Sequence, residues 1–450
     1  MSQLLAVGIS HKTAPVGLRE RLSLSEQEAT GFAWEMLTGR GTVTEAVTFA
    51  TCNRTEIHVA ASDPVAAEAE LLSALSKQAG ISATELAGSI YTARNCDAAR
   101  HLFRVAAGLE SMVLGEDEIQ GQVRRAYEDS LAAGHTGPLL NRLFRAAIET
   151  GKRVRHETGL GGASMSVPAV AVELARERIG DLEGRRVVIL GTGEMAELTA
   201  QALAGRGAEV VFLANRRHHR ALDLARRLGG TVARLEELPS ELPGADVLIS
   251  ATASPHPIVG ADELREILRD RGERDSLVAI DIAVPRDIEA ACAELEQVAL
   301  YDIDDLEAVV DRNRVEQMDE TRGASEIVES EIQRFAQWLG QLEVTPTIAA
   351  LRQRGDEIAD SVVDENSGRW EDISERDLER IELIAHTVAK RVLHMPTVRL
   401  KQIDSDKRHS AIHMLGELFD IDATGGEGEP SGEGHAEVRE LPQGRNRGRS

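Results

Sequence analysis

The stretch GRRVVILGTGEMAELTAQALAGRGAEVVFLANRR, Gly184 to Arg217, decides the fold of the central third of the chain. It opens on a short apolar run that reads as a buried strand, passes through a glycine turn into a helical pattern, and closes on a second apolar run. The turn, Gly191-Thr192-Gly193-Glu194-Met195-Ala196, has the form GxGxxA. Glycine lets the backbone approach a pyrophosphate, the small Ala196 lets the helix pack close to the strand, and the helix N-terminus supplies amide donors. The motif is weak alone, but in a strand–turn–helix setting it specifies a dinucleotide-binding Rossmann domain. Its second strand ends at Asn215, Arg216 and Arg217, where an NAD enzyme places an acid on the ribose 2′-hydroxyl. Two arginines there suit a 2′-phosphate, so the expected cofactor is NADPH.

Downstream, Asp246–Ala251 and Leu277–Ile282 read as two more strands of the same parallel sheet. The loops after them should lie at its carboxyl edge, where ligands bind, with Ser254, Pro255 and Pro285 on the rim of the nicotinamide pocket. Cys292 falls in the next helical stretch and reads as packing.

Upstream lies AVTFATCNRTEIHVAA, Ala46 to Ala61. Val43–Phe49 and Thr55–Ala61 read as strands, which makes Ala50–Arg54 their connection. Cys52 therefore sits on a turn beside a hydroxyl, an amide and a guanidinium from Thr51, Asn53 and Arg54. It is either a small buried hydrophobe or a thiol facing a ligand. Leu4–Ser10 is a first strand, followed by His11 and Lys12 on what reads as a solvated turn and by helices capped at Ser23 or Ser25. Asp63 caps a helix that carries Pro64 in its first turn and ends at Gly80. These elements form a small α+β domain.

Asn95–Gly159 is mostly helical in pattern, interrupted by Gly108, Gly115 and Gly121 among several acidic and amide side chains. Each glycine costs about 1 kcal/mol within a helix, so the segment is either a bent ligand-facing stretch or a polar helix-to-helix turn. Arg142, Arg145, Lys152, Arg153 and Arg155 make Asn141–His156 the most basic helical stretch. It suits phosphate contacts or a solvated face of ion pairs. From Asp304 the pattern is helical for nearly 40 residues before Pro346, too long for a lone globular helix and suited to packing against another subunit. Thr347–Asp420 continues helical, with a helix end read at His394-Met395-Pro396. The tail Ala423–Ser450 has no apolar period and reads as disordered.

The 450 residues carry 75 acidic against 51 basic side chains, six of them lysine, for a formal charge of −24. That balance argues against nonspecific nucleic-acid binding, DNA included, so that any polyanion site must be local, and it suggests a halophilic source, since salt screens self-repulsion. No run reaches the length of a membrane span and no leader pattern opens the chain, so a cytoplasmic location is expected. Cys52, Cys96 and Cys292 are widely spaced, which suggests neither a disulfide framework nor a metal site.

Taken together, HKTAP at His11–Pro15, TCNRTE around Cys52, GLESMVLGEDEIQGQV from Gly108 and GTGEMA at Gly191 occur in the order seen in glutamyl-tRNA reductase, which the chain resembles from Leu4 to Asp420. The resemblance implies an α/β multidomain architecture: an α+β catalytic domain over residues 1–160, a Rossmann-type NADPH domain over 161–303, a long helix with a C-terminal helical dimerisation domain over 304–422, and the tail 423–450. It implies reduction of glutamyl-tRNA to glutamate-1-semialdehyde, the first step of C5 tetrapyrrole synthesis, with Cys52 forming a glutamyl thioester and NADPH as reductant. Thr51, Asn53, Arg54, Ser111, Glu116, Asp117, Glu118 and Gln122 then contact substrate, and His101 protonates the leaving hydroxyl. Many bacterial relatives read Pro-Gln where this chain has Asp117-Glu118. Gly191 to Ala196 hold the nucleotide, a homodimer is implied, and the aldehyde passes to glutamate-1-semialdehyde aminomutase. Two rivals are a shikimate-dehydrogenase-like oxidoreductase, which leaves Cys52 without a role, and a tRNA-binding protein with a vestigial nucleotide fold.

Overall fold

A computed structural model describes residues 2–116, 118–161, 166–213, 218–272, 274–313, 318–367, 373–403 and 405–421. The tail expected to be disordered lies outside them. The chain divides into two compact units, Ser2–Gln337 and the residues from Trp338 onward.

The first unit begins with strand β1 (Gln3–Ser10), helices α1 (Val16–Arg21) and α2 (Glu26–Thr38), strands β2 (Val43–Ala50) and β3 (Arg54–Ala61), helices α3 (Pro64–Ala79) and α4 (Ala83–Ala87), and strand β4 (Tyr91–Arg94). The strands form an antiparallel sheet in the order β2-β3-β1-β4, with Ser10 opposite Arg54 and Ala50 opposite Thr55. Of the two caps expected for α2, Ser25 is used, in a reciprocal capping box with Glu28. Asp63 caps α3, and Gly80 ends it in the left-handed region.

Every residue of β3 is buried, because the sheet is covered on both faces. Ile57 and Val59 join the core beneath α2 and α3. Glu56 and His58 alternate onto the opposite face, beneath α5 (Cys96–Ala106), α6 (Glu118–Ala132) and α7 (Pro138–Glu157). Between α5 and α6 the chain bends as the glycines suggest. Gly108 and Gly115 both have φ of 75°, whereas Gly121 is an ordinary helical residue of α6. A Cβ on Gly115 would stand 2.3 Å from the carbonyl oxygen of Leu160, and one on Gly108 2.9 Å from Gly115 itself. What these glycines approach closely is the chain's own backbone.

Helix α8 (Val167–Ile179) leads into β5 (Arg186–Leu190), α9 (Glu194–Ala204), β6 (Glu209–Leu213), α10 (His218–Leu228), β7 (Thr231–Ala233), α11 (Leu238–Glu241), β8 (Val247–Ser250), α12 (Ala261–Leu268), β9 (Leu277–Asp281) and β10 (Val298–Tyr301). The strands form a parallel sheet in the order β10-β9-β8-β5-β6-β7. This is the doubly wound arrangement, with its switch point between β5 and β8. Apolar layers cover both faces, which accounts for the continuous rather than alternating apolar runs of these strands.

Helix α13 (Asp305–Asn313) precedes α14 (Met318–Ser367), which carries Pro346 in its interior. The sequence led us to expect an end there. Proline removes one ladder bond at about 3 kcal/mol, but Val344 and Ile348 on either side bury their side chains, and that packing keeps the helix continuous. Pro396 likewise lies inside α15 (Glu375–Gln402) rather than at a helix end. There Thr397 Oγ1 bonds the carbonyls of Leu393 (3.0 Å) and His394 (2.8 Å). With α16 (Ser405–Phe419), these helices enclose a small core of Val344, Ile348 and Leu400. Val362 (52% exposed), Leu383 (67%) and Val392 (66%) remain uncovered within this unit.

Candidate active site

The loop from Thr51 to Asn53 is a tight turn closed by its own first residue. Thr51 Oγ1 accepts from the amides of Asn53 and Arg54, each at 3.2 Å, and Thr51 N donates to the Arg54 carbonyl at 2.8 Å. This leaves Cys52 at the apex, half-buried and lining a cavity of about 690 Å³. Glu118 and Gln122, from the start of α6, share that wall. The opposite wall comes from the carboxyl ends of the parallel strands: Gly191–Met195 after β5, Ala251–Pro255 after β8 and Ile282–Val284 after β9. One cavity therefore joins the thiol to the glycine turn, although about 140 residues separate them in the chain.

The turn fits a dinucleotide. Gly191 has φ of 109°, and a Cβ there would stand 2.6 Å from the Ala251 carbonyl oxygen, so only glycine is accommodated. Gly193 begins α9 with no side chain bonded to the first amides, which leaves donors and the positive end of the helix for an anionic group. Ala196 is fully buried beneath the turn. Ser254 and Pro255 line the cavity as expected, with Val284, rather than Pro285, as the lining residue on the other loop. Both loops are anchored by buried carboxylates that the sequence reading missed. Asp287 accepts from Ser250 Oγ (2.6 Å), Thr252 N (2.9 Å) and Thr252 Oγ1 (2.6 Å). Asp281 accepts from Ala283 N (3.0 Å) and Ile288 N (2.8 Å). Asn215, Arg216 and Arg217, expected to hold a 2′-phosphate, lie outside the described residues, as does Asp117.

Burial, reinforced by the carboxylates of Glu116 and Glu118, pushes the Cys52 thiol up to about 12, and Arg19 opposes the shift. The cation that opposes this shift is thus Arg19 and not Arg54, which follows Cys52 by two residues. Arg19, on α1, sends Nε to the Cys52 carbonyl at 3.3 Å. Glu118 is itself raised to about 7 by burial and by the charges of Glu194 and Glu116. Its Oε1 is buried without a hydrogen-bond partner among the described residues.

Arg54, by contrast, is 2% exposed and committed to a buried cluster. Its Nη1 lies 2.7 Å from Glu56 Oε1, and Nη2 bonds the Glu110 carbonyl. The same Glu56 carboxylate receives Tyr91 Oη (2.7 Å), His101 Nε2 (2.9 Å) and His58 Nε2 (2.9 Å). His101 therefore sits in this cluster rather than on the cavity wall. Ser111 and Asn53 are buried nearby, with Asn53 Oδ1 lacking a partner among the described residues. Glu116 is raised chiefly by burial, with Ser111 and Arg54 acting against the shift.

The turn at His11 is not the solvated one expected. His11 is 9% exposed, its backbone N donates to Asn53 O at 2.8 Å, and neither ring nitrogen has a partner among the described residues. Lys12 pairs with Glu110 at 2.5 Å. On the basic helix, Arg153 is engaged by Glu157 (2.9 Å) and by Glu331, while Arg145 bonds the Tyr127 hydroxyl (3.0 Å). Ion pairs account for part of that basic face.

Comparisons with known proteins agree with this arrangement. Residues 7–158 match the glutamyl-tRNAGlu reductase N-terminal domain, 173–309 the shikimate / quinate 5-dehydrogenase family, and 323–421 the glutamyl-tRNAGlu reductase dimerisation domain. The chain is 40% identical over 423 residues to a glutamyl-tRNA reductase of Pelotomaculum thermopropionicum, covering 94% of this chain and 95% of that one. It is 41% identical over 399 residues to one of Rubrobacter xylanophilus, covering 88% and 92%. Among solved structures it resembles the glutamyl-tRNA reductase of Methanopyrus kandleri, at 31% identity, with a TM-score of 0.50 and coverage of 93% and 99%. The dehydrogenase-like match is flanked on both sides by reductase domains, which disfavours the shikimate-dehydrogenase reading for the whole chain.

Proposed function

Because this chain belongs to the glutamyl-tRNA reductase family, we propose that its NADPH-dependent reduction of glutamyl-tRNA to glutamate-1-semialdehyde, the first step of C5 tetrapyrrole biosynthesis, runs through a thioester on Cys52. The observation that carries this reading is the single cavity lined by Cys52 and by the glycine turn.

The Cys52 sulfur attacks the aminoacyl carbonyl. A C–S bond forms, the ester C–O bond breaks, and the thiol proton passes to the departing ribose oxygen. A thioester accepts hydride more readily than a carboxylate, and covalent capture divides a difficult reduction into two steps. When bound, NADPH supplies the hydride. Reduction breaks the C–S bond, releases the aldehyde and restores the thiol.

Burial keeps Cys52 protonated at rest, which protects it from side reactions. Thr51, Asn53, Ser111, Glu116, Asp117, Glu118 and Gln122 are assigned to the glutamyl group and the tRNA end. Arg54 joins them as the residue that holds the loop against Glu56 and Glu110. His101, fixed by Glu56, is assigned to relay the thiol proton to the leaving hydroxyl. Gly191 to Ala196 hold the pyrophosphate, and Asn215, Arg216 and Arg217 the 2′-phosphate.

Residues 1–160, 161–303 and 304–422 are taken as the catalytic, cofactor and dimerisation domains. The uncovered apolar residues on α14 and α15 favour a homodimer. A reactive aldehyde favours direct hand-over to the aminomutase. A working thiol favours a reducing, cytoplasmic setting, and the charge of −24 a saline one.

Incubation with glutamyl-tRNA in the absence of NADPH should leave glutamate bound to protein, and addition of NADPH should convert it to aldehyde. Cys52→Ser should lose both; reduction retained in that variant refutes the thioester.

A further inference from the structure

Helix α1 touches both walls of the cavity through two consecutive residues. Arg19 places Nη2 2.8 Å from Asp304 Oδ1, Nη1 3.0 Å from the Ala14 carbonyl and Nε 3.3 Å from the Cys52 carbonyl. The Val16 amide adds a bond to Asp304 Oδ2 at 3.0 Å. Glu20 takes Arg286 in a fork, with Oε1 to Nε at 2.7 Å and Oε2 to Nη2 at 2.9 Å, and Oε1 also accepts the Arg286 backbone N–H at 2.8 Å. Arg286 lies two residues beyond Val284, on the loop that lines the cofactor side of the cavity, and Asp304 follows the last strand of the parallel sheet. Both sequence separations exceed 260 residues, so these are contacts between subdomains. Forked arginine–carboxylate pairs fix orientation as well as distance.

We propose that Glu20 and Arg286, with Arg19 and Asp304, form a latch that sets the position of the Cys52 turn against the cofactor loop. They are positioning residues: hydride transfer needs the reacting atoms within a few tenths of an ångström of a productive arrangement, and α1 is the rigid piece that transmits that placement. This inference rests on the thioester reading for its chemistry but not for its geometry.

The test uses Glu20→Gln, Arg286→Gln, the double variant and the milder Arg286→Lys. Hydrogen–deuterium exchange is followed in the full-length enzyme without NADPH, together with the aldehyde formed per tRNA discharged when NADPH is present. A latch predicts that Arg286→Gln speeds exchange across Thr51–Arg54 and Glu20→Gln speeds it across Ile282–Val284, beyond the Arg286 amide that Glu20 itself binds. Each effect then appears on the side away from the substitution. Aldehyde per discharged tRNA should fall at least threefold in either variant, with the remainder recovered as free glutamate. The double variant should be no worse than the worse single, and Arg286→Lys should be intermediate. Exchange changes confined to the substituted side, additive losses, or an unchanged aldehyde yield would each overturn the proposal. The exchange arm needs no covalent intermediate, so its outcome stands apart from that of Cys52→Ser.

Discussion

Glu56 Oε1 lies 2.7 Å from Nη1 of Arg54, and both side chains are almost completely sealed from solvent. Burial on its own would raise the Glu56 carboxyl; His101, His58 and Arg54 together hold it well below the usual range. Breaking a buried pair costs more than the pair contributes, because the surviving charge is left without compensation. Glu56→Gln should therefore destabilise the enzyme by about 3–5 kcal/mol, measured by denaturant unfolding. A loss below about 1 kcal/mol, the range of exposed pairs, would show that Arg54 finds another partner. The folded-state value is depressed, so this stabilisation is present above pH 4.5 and is lost as pH falls below it. The variant should lack that part of the acid transition.

His11 acts in a different window. Burial first, then Arg54, Lys12 and Arg19, lower its imidazole from 6.5 to about 3. The neutral form is favoured in the fold, so the stability it contributes is complete above pH 6.5 and declines as pH falls toward 3. Melting curves of the wild type should begin to shift below pH 6.5, and His11→Gln should flatten that first portion while leaving the Glu56 portion in place. Identical pH dependence in the two proteins would contradict this assignment.

Glu118 opposes the Cys52 thiolate from the cavity wall. Replacing it with glutamine removes a negative charge and should lower the thiol pKa by roughly half a unit to one unit, or about three- to tenfold in thiolate at a fixed pH. Iodoacetamide should then alkylate Cys52 faster in Glu118→Gln at pH 8. The difference should narrow below pH 7, where Glu118 is protonated in the wild type. Equal rates at pH 8 would remove Glu118 from the electrostatics of the thiol.

Asp287 holds the Thr252 loop with three short bonds, and asparagine cannot accept all of them. Asp287→Asn should weaken NADPH binding about tenfold, or about 1.4 kcal/mol, read by fluorescence titration. An unchanged dissociation constant would mean that the loop keeps its shape without this carboxylate.

Local chemistry made much of this protein legible in its sequence. The glycine turn after a buried strand, the strand-forming runs on either side of Cys52, and the caps at Ser25 and Asp63 act over a few residues, so the sequence of that stretch determines them. Where the reading stopped at proline, it applied a local rule that tertiary burial overrides: α14 and α15 continue through Pro346 and Pro396.

Only the tertiary structure decided which charges meet. Arg54, two residues after Cys52, is turned into the Glu56 cluster, while Arg19, more than thirty residues earlier, reaches the Cys52 carbonyl. The same is true of His11, placed by its sequence context on a solvated turn and found buried. A turn can be read locally because its cost is paid by its own backbone. The partner of a charged side chain is set by desolvation and by strand and helix packing, which bring together residues that no spacing in the chain relates.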